Sequence, residues 1–201
     1  MTPARRRTID TITASLERFI RYDDESIVHD VWIRQRYEGG YAASYAPARA
    51  ESVRTAWHEA GHAVAALAIG ARFSSASIRA GGASSGRVHS VRDGGNESFV
   101  VAAAGQVAER LRDWSLPSSD VALAVWLASW RGDGGDARRF RACVAGQEGR
   151  FGTGAAAEAA AWRYSVELLT PSRPRIRQLA RALLVHPRYL PYDVCAAIAK
   201  V

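Results

Sequence analysis

The histidines His58 and His62 lie four residues apart in a stretch whose composition is typical of a helix. Residues 52 to 69 are rich in alanine, and Gly70 follows at a position suited to end a helix. Side chains four residues apart share one face of a helix, so the two imidazoles can bind one metal ion. The pair therefore requires a helix at this point of the chain and predicts a metal site on it.

Glu59 follows His58 directly and completes the pattern His-Glu-x-x-His. In zinc peptidases this pattern supplies two metal ligands and a general base from one helix. Zinc lowers the pKa of a bound water toward about 7 and polarises the scissile carbonyl, and Glu59 can take the proton of that water. The sequence thus predicts a zinc metalloendopeptidase. Zinc itself is an inference, because the ligand set also accepts other divalent ions.

A catalytic zinc ion usually has three protein ligands and one open position, so a third ligand must come from further along the chain. The candidates are Glu109, Asp120, Asp133 and Asp136. A ligand needs a fixed and shielded position. Residues 121 to 130 are apolar on nearly all sides and are expected to be buried, which favours Asp120 at their start. Asp136, on a helix that looks more exposed, and Glu109 remain alternatives.

The remaining pattern predicts an α+β fold that is mainly α-helical. After the motif helix, residues 72 to 91 read as a hairpin with strands at 74–79 and 87–91. Further helices are expected at 97–112, 121–130, 136–145, 155–169, 174–185 and 192–199. Upstream, the pattern predicts helices at 8–21 and 26–36 and a loop at 38–47. We therefore divide the chain into an N-terminal helical extension, residues 1–50, and a catalytic domain, residues 51–201.

The segment His-Glu-Ala-Gly-His-Ala at 58–63 resembles the peptidase domain of the FtsH-type zinc proteases. The resemblance continues in the strand and glycine segments at 77–79 and 86–88, in Ala-Gly-Gln-Val-Ala-Glu at 104–109 and in Ser-Ser-Asp-Val at 118–121. It implies a zincin-like helical domain with a small sheet after the motif helix. It also implies a third ligand from an aspartate that opens a helix, which Asp120 matches best. The glycines around Asp136 resemble the same region of the family.

The chain departs from that family in lacking any GxxxxGK[ST] sequence, so we expect an ATP-independent, stand-alone enzyme. Peptides or unfolded proteins are then the expected substrates. We expect them to lie extended along the second strand of the hairpin, bound by Gly86, Arg87 and Val88. The resemblance is compatible with a homo-oligomer or with a separate regulatory partner.

Charge and cysteine content bear on partners and location. The net charge is +7, and almost all the positive charge is arginine. These arginines are spread along the chain without interleaved aromatics, which argues against a nucleic-acid partner.

No apolar run reaches the roughly 20 residues needed to cross a bilayer, and no apolar stretch follows the basic N-terminus as in a secretory signal. Cys143 and Cys195 are isolated, which favours the reducing cytoplasm.

Two other functions fit the same residues. One is a regulatory metallopeptidase resembling the ImmA/IrrE family, which also uses a HExxH helix. The other is a peptidase fold that has lost catalysis and serves as a binding scaffold for an acidic partner or nucleic acid. Glu59 argues against the scaffold, because a purely structural metal site does not need a base.

Overall fold

The computed structural model describes residues 45–78, 86–89, 91–92, 95–130, 134–187 and 189–199, together with residues 3, 6, 7, 9–11 and 14. We number the helices from the one that carries the motif. They are α1 (Tyr45–Ala68), α2 (Ser98–Asp113), α3 (Asp120–Ser129), α4 (Gly134–Ala145), α5 (Glu148–Phe151), α6 (Gly154–Leu169), α7 (Arg173–Val185) and α8 (Tyr192–Ile198). The strands are β1 (Ser75–Ser77), β2 (Arg87–His89) and β3 (Leu190–Pro191). This confirms the predicted α+β, mainly α-helical class.

Helix α1 packs most extensively against α2 and next against α7. The contact with α2 is very close at Gly61, where an added Cβ would lie 2.4 Å from the Ala104 carbonyl oxygen and 2.5 Å from Ala108 Cβ. Ala104 and Ala108, which lie at this contact, are fully buried. Small side chains along this contact let the two helix backbones approach, so groups on α2 come within hydrogen-bond reach of the histidines on α1.

Gly70 ends the motif helix as the sequence predicted. Its φ of 74° is a left-handed conformation that favours glycine, and the amide of Ala71 bonds back to the carbonyl of Ala66 at 2.8 Å. The helix begins at Tyr45, before the predicted domain boundary at residue 50 and before the predicted start at residue 52. Residues 45–47, predicted as the end of a loop, are therefore helical, because proline is tolerated in the first turn of a helix and Pro47 lies there. That boundary stays a prediction, and the predicted segments at 8–21 and 26–36 and the loop at 38–47 lie largely outside the described residues.

The three strands form an antiparallel sheet in the order β2-β1-β3. The hairpin partners Ala76 and Val88 lie opposite each other, as do Ser77 and Arg87. Sequence reasoning found β1 and β2 but missed β3, because two residues are too few to show an alternating pattern. Among the described strands β2 lies at an edge, so one side of it is not paired within this sheet.

Helix α3 differs from the prediction in its burial. It begins as expected, with the Ser119 hydroxyl accepting a hydrogen bond from the Ala122 amide at 3.2 Å. However, only Leu123 and Leu127 are buried, and Val125 is 66% exposed. A helix with apolar residues on all sides can be fully buried or partly exposed, and here the helix packs on one face only.

Among the described residues, none of the helices combines the length and the apolar composition that a membrane span requires.

Candidate metal centre

Three side chains, two from α1 and one from α4, converge at one point. His58 Nε2 lies 3.0 Å from His62 Nε2, and each of these nitrogens lies 3.2 Å from Asp136 Oδ2. Within the described residues, His58, His62 and Asp136 form a group whose ligand atoms could hold one metal ion. Zinc bonds of about 2.0–2.1 Å at tetrahedral angles place ligand atoms roughly 3.3 Å apart. The spacing and the chemistry of the three groups therefore fit zinc.

The other ring nitrogens face away from this point and are hydrogen-bonded. His58 Nδ1 donates to Glu109 Oε1 at 2.6 Å, and His62 Nδ1 donates to the Val101 carbonyl at 2.6 Å. Both acceptors belong to α2. A proton held on Nδ1 leaves the Nε2 lone pair free, which is the tautomer that a metal at Nε2 requires. Helix α2 thus orients both imidazoles.

Asp136 reaches the histidines because α4 packs against α2. It lies in the first turn of α4, where a carboxylate is favoured by the helix dipole. Ala137 and Phe140 on the same helix are buried in the core, which fixes the helix beside the site. The sequence suggested an exposed helix because of its arginines, and Arg138 and Arg139 are indeed exposed. The buried apolar side chains of the same helix nevertheless hold Asp136 in place.

The structure does not bring Asp120 to the histidines. Its side chain is 88% exposed and pairs with Arg163 on α6. Asp120 was preferred because α3 was expected to be buried, but this helix is exposed on one side. Asp136, which lies beside both histidines, is therefore the better candidate for the third ligand. Glu109, the other alternative, lies beside His58 as a hydrogen-bond acceptor and outside the group of three.

Glu59 lies at the same centre but is held by different neighbours. It is only 6% exposed, and its carboxylate accepts a hydrogen bond from the backbone of Val88. An added Cβ at Gly86 would lie 2.8 Å from Glu59 Oε1, so this glycine gives the carboxylate its space. Burial raises the pKa of Glu59, partly offset by the charges of His62 and His58. A buried carboxylate with a raised pKa can accept a proton and return it.

The pKa values of His58 and Asp136 reflect their mutual contacts. Burial lowers the pKa of His58, but hydrogen bonds to Asp136 and Glu109 outweigh it and raise the pKa to about 10. Burial alone would raise the pKa of Asp136, but its hydrogen bonds to His58 and His62 hold that pKa well below the usual range. In the metal-free protein, the protonated form of His58 and the ionised form of Asp136 therefore stabilise each other.

Gly105 on α2 is a requirement of the site that sequence reasoning missed. A Cβ at this position would lie 2.4 Å from His58 Nε2. Any larger residue would displace the imidazole from its place beside Asp136. The glycine stands in the Ala-Gly-Gln segment at 104–106, where the only available signal was a glycine within an otherwise helical pattern.

An open cavity of about 610 Å³ adjoins the cluster and is lined by Glu59, His62 and Asp136. The residues predicted from the sequence to bind substrate, Gly86, Arg87 and Val88, also line it. The edge strand β2 thus borders the space in which a ligand of the metal centre would lie.

Residues 39–111 match the family model described as Peptidase M50B-like, a metallopeptidase family. The matched segment contains His58, Glu59, His62 and Glu109 but ends before Asp136. The match supports a peptidase domain. A comparison with curated proteins finds no match. The finer resemblance to FtsH-type enzymes stays a prediction.

Proposed function

We propose that this chain is a zinc-dependent endopeptidase that cleaves peptide bonds with water, using Glu59 as the general base. The observation that carries the proposal is the convergence of His58, His62 and Asp136 within 4.8 Å of one another, beside the buried carboxylate of Glu59. In this proposal Asp136, rather than Asp120, completes the ligand set. The match of residues 39–111 to a metallopeptidase family supports the reaction class.

The three ligands would hold zinc through two Nε2 atoms and one carboxylate oxygen. A bound zinc ion would lower the pKa of a coordinated water toward about 7 and polarise the scissile carbonyl. Glu59 accepts a proton as the water oxygen bonds to the carbonyl carbon. It then delivers that proton to the amide nitrogen as the C–N bond breaks and the amine leaves. Its burial favours the protonated form that it adopts between these steps.

The edge strand β2 is proposed to align the substrate. An extended peptide can add to an unpaired strand edge through main-chain hydrogen bonds, which hold the backbone without demanding a particular sequence. Gly86, Arg87 and Val88 border the cavity at this edge, and Glu59 lies against Gly86 and accepts a hydrogen bond from the backbone of Val88. A peptide along β2 would therefore pass the base and the ligands together.

The proposal is tested with Glu59→Gln, which keeps the shape of the side chain and removes its basicity. Zinc content is measured by elemental analysis, and cleavage is followed by mass spectrometry on unfolded protein substrates. We expect zinc to remain near one per chain and turnover to fall at least about 100-fold, the usual contribution of a general base. Glu148→Gln makes the same change on the exposed helix α5 and should leave both readouts unaltered.

Full turnover in Glu59→Gln would overturn the assignment of the base. If the wild type binds zinc and cleaves nothing, while it retains an acidic partner or nucleic acid in a salt-sensitive way, the binding-scaffold function replaces the enzyme. A wild type that takes up no zinc even when the metal is supplied would remove the basis of the proposed site.

A further inference from the structure

Arg139 lies on the same helix as Asp136 and borders the same cavity. Residues three apart on a helix are neighbours on its surface, with Cβ atoms about 5–6 Å apart. Arg138, in contrast, does not border the cavity, because successive helical residues point about 100° apart. A positive charge therefore stands one helical turn from the proposed zinc ligand.

Arg87 adds a second guanidinium from a different element. It belongs to β2, whereas Arg139 belongs to α4, and both border the cavity. Both side chains are exposed. Two arginines that approach one space from a strand and a helix can contact a single anionic group between them.

Neither guanidinium forms an ion pair with a described residue, although several other arginines of the chain do. Arg54 pairs with Glu109, Arg141 with Glu158, Arg150 with Glu97 and Arg163 with Asp120. The carboxylates of the cavity, Glu59 and Asp136, are engaged with the histidines and with the backbone of Val88. The charges of Arg87 and Arg139 are thus available to a ligand.

The charge balance of the loaded site points in the same direction. A bound divalent ion would offset the charges of Glu59 and Asp136, and the two guanidinium groups would then be excess positive charge in the cavity. Val88, Val91 and Val101 supply apolar lining beside them. Such a space suits a carboxylate on a short aliphatic stem, and guanidinium binds carboxylate with two parallel hydrogen bonds.

We propose that Arg139 and Arg87 select substrates that carry a carboxylate within one or two residues of the scissile bond. This inference rests on the proposed peptidase function and adds its substrate class. The carboxylate can come from an aspartate or glutamate side chain or from the free C-terminus of the peptide. Basic side chains at the same position are disfavoured by repulsion, which contributes to specificity as much as the attraction does.

The test is cleavage of a diverse peptide mixture by the zinc-loaded full chain, with cleavage sites identified by mass spectrometry. One half of the mixture has free C-termini and the other half has amidated C-termini. For the wild type we expect acidic residues, or free C-termini, to be enriched about fivefold or more at one position beside the cleaved bond. Amidation abolishes the preference if its source is the C-terminus and leaves it intact if the source is a side chain.

Three variants locate the preference in the structure. Arg139→Gln should remove most of the enrichment, and Arg139→Glu should shift it toward lysine and arginine by roughly tenfold, as expected for charge reversal at a binding surface. Arg138→Glu makes the same change in net charge one residue away, outside the cavity, and should keep the wild-type preference. Equal effects of Arg138→Glu and Arg139→Glu, or no acidic enrichment in the wild type, would overturn the proposal.

A binding measurement separates this inference from the peptidase function. Fluorescence anisotropy with zinc-loaded Glu59→Gln compares a labelled acidic peptide with its version in which amides replace the carboxylates. Tighter binding of the acidic peptide, weakened by Arg139→Gln and unchanged by Arg138→Gln, supports the inference even if the wild type cleaves nothing. Equal binding of the two peptides overturns it, whatever the cleavage assay shows.

Discussion

His58 donates its Nδ1 proton to Glu109 across 2.6 Å, and Arg54 holds the other oxygen of that carboxylate at 2.7 Å. The chain of contacts runs from α1 to α2 and back to α1. A carboxylate behind a histidine fixes the tautomer and orientation of the ring and increases its basicity as a ligand. Glu109 therefore acts on the proposed metal site through His58, without contacting the metal position itself.

Loss of this support should weaken metal binding. We expect Glu109→Ala to lower the zinc affinity about 10- to 100-fold, the range found for such supporting groups, and Glu109→Gln to lower it less, because the amide oxygen can still accept from Nδ1. Competition with a chromogenic chelator measures the affinity. Glu148→Ala on the exposed helix α5 is the control. A Glu109→Ala protein that binds zinc as tightly as the wild type would refute the role.

The third ligand can be assigned by two parallel substitutions. Asp136→Ala should lose near-stoichiometric zinc, because two histidines alone leave the ion with too few protein ligands. Asp120→Ala should retain zinc, because this carboxylate is exposed and paired with Arg163. Elemental analysis of protein purified without a histidine tag decides between them. Retention of zinc by Asp136→Ala together with its loss from Asp120→Ala would restore the sequence-based assignment.

Gly105→Ala tests the close approach of α2 to His58. The added methyl group would lie 2.4 Å from Nε2, so the imidazole must move and zinc binding should fall steeply. Gly149→Ala is the matched control, because nothing lies within 4 Å of a Cβ at that position. Zinc titration and circular dichroism together separate loss of the site from loss of the fold. Unaltered zinc affinity in a folded Gly105→Ala protein would contradict the geometry.

Zinc uptake should depend on pH. In the metal-free protein, burial lowers the pKa of His58, but its hydrogen bonds to Asp136 and Glu109 raise it to about 10, so zinc must displace a proton near neutrality. The apparent association constant should then rise about tenfold per pH unit between pH 6 and 8. Calorimetry in two buffers of different ionisation enthalpy should show proton release. An affinity that does not change over this range would contradict the prediction.

The raised pKa of His58 also makes the stability of the metal-free fold depend on pH. The folded-state pKa of His58 lies above its ordinary value of 6.5, so its contribution to stability is fully present below pH 6.5. That contribution is lost as the pH rises toward about 10. Urea unfolding of the metal-free protein at several pH values should show this fall, and His58→Gln should lessen it. A midpoint that rises over this range in the wild type and not in His58→Gln would reverse the sign.

Helix α3 allows a paired test of burial. Leu127 is 4% exposed, whereas Val125, on the same helix, is 66% exposed. Leu127→Ala should lower the free energy of unfolding by about 2–5 kcal/mol, because it leaves a cavity in the core. Val125→Ala should change it by no more than about 0.5 kcal/mol. Urea denaturation measures both. Comparable losses in the two variants would mean that both faces of the helix are covered.

Local patterns predicted the parts of the fold that depend on local physics. Apolar spacing and the end signal at Gly70 predicted helices that the structure contains, among them α1, α2, α6 and α7. Strand β3 and the exposure of Val125 were not predicted, because each depends on what else packs nearby. The candidate metal centre likewise has a part that local sequence specifies and a part that only packing specifies. His58, Glu59 and His62 are fixed relative to one another within about one turn of helix, so their pattern is legible in the sequence.

Asp136 is separated from His62 by 74 residues, and only the packing of α4 against α2 brings the two together. Several aspartates begin helices in this chain, and nothing local distinguishes the one that reaches the site. The roles of Gly105 and Arg139 also depend on tertiary packing. Gly105 matters because it lies against His58 on a neighbouring helix, and Arg139 matters because it borders the cavity beside the histidines. The sequence by itself determined that His58, Glu59 and His62 lie together on one helix, because a helix is specified by short-range spacing. The tertiary structure decided which distant carboxylate, Asp136, lies beside the histidines and which charges surround the cavity, because those positions depend on how distant helices pack.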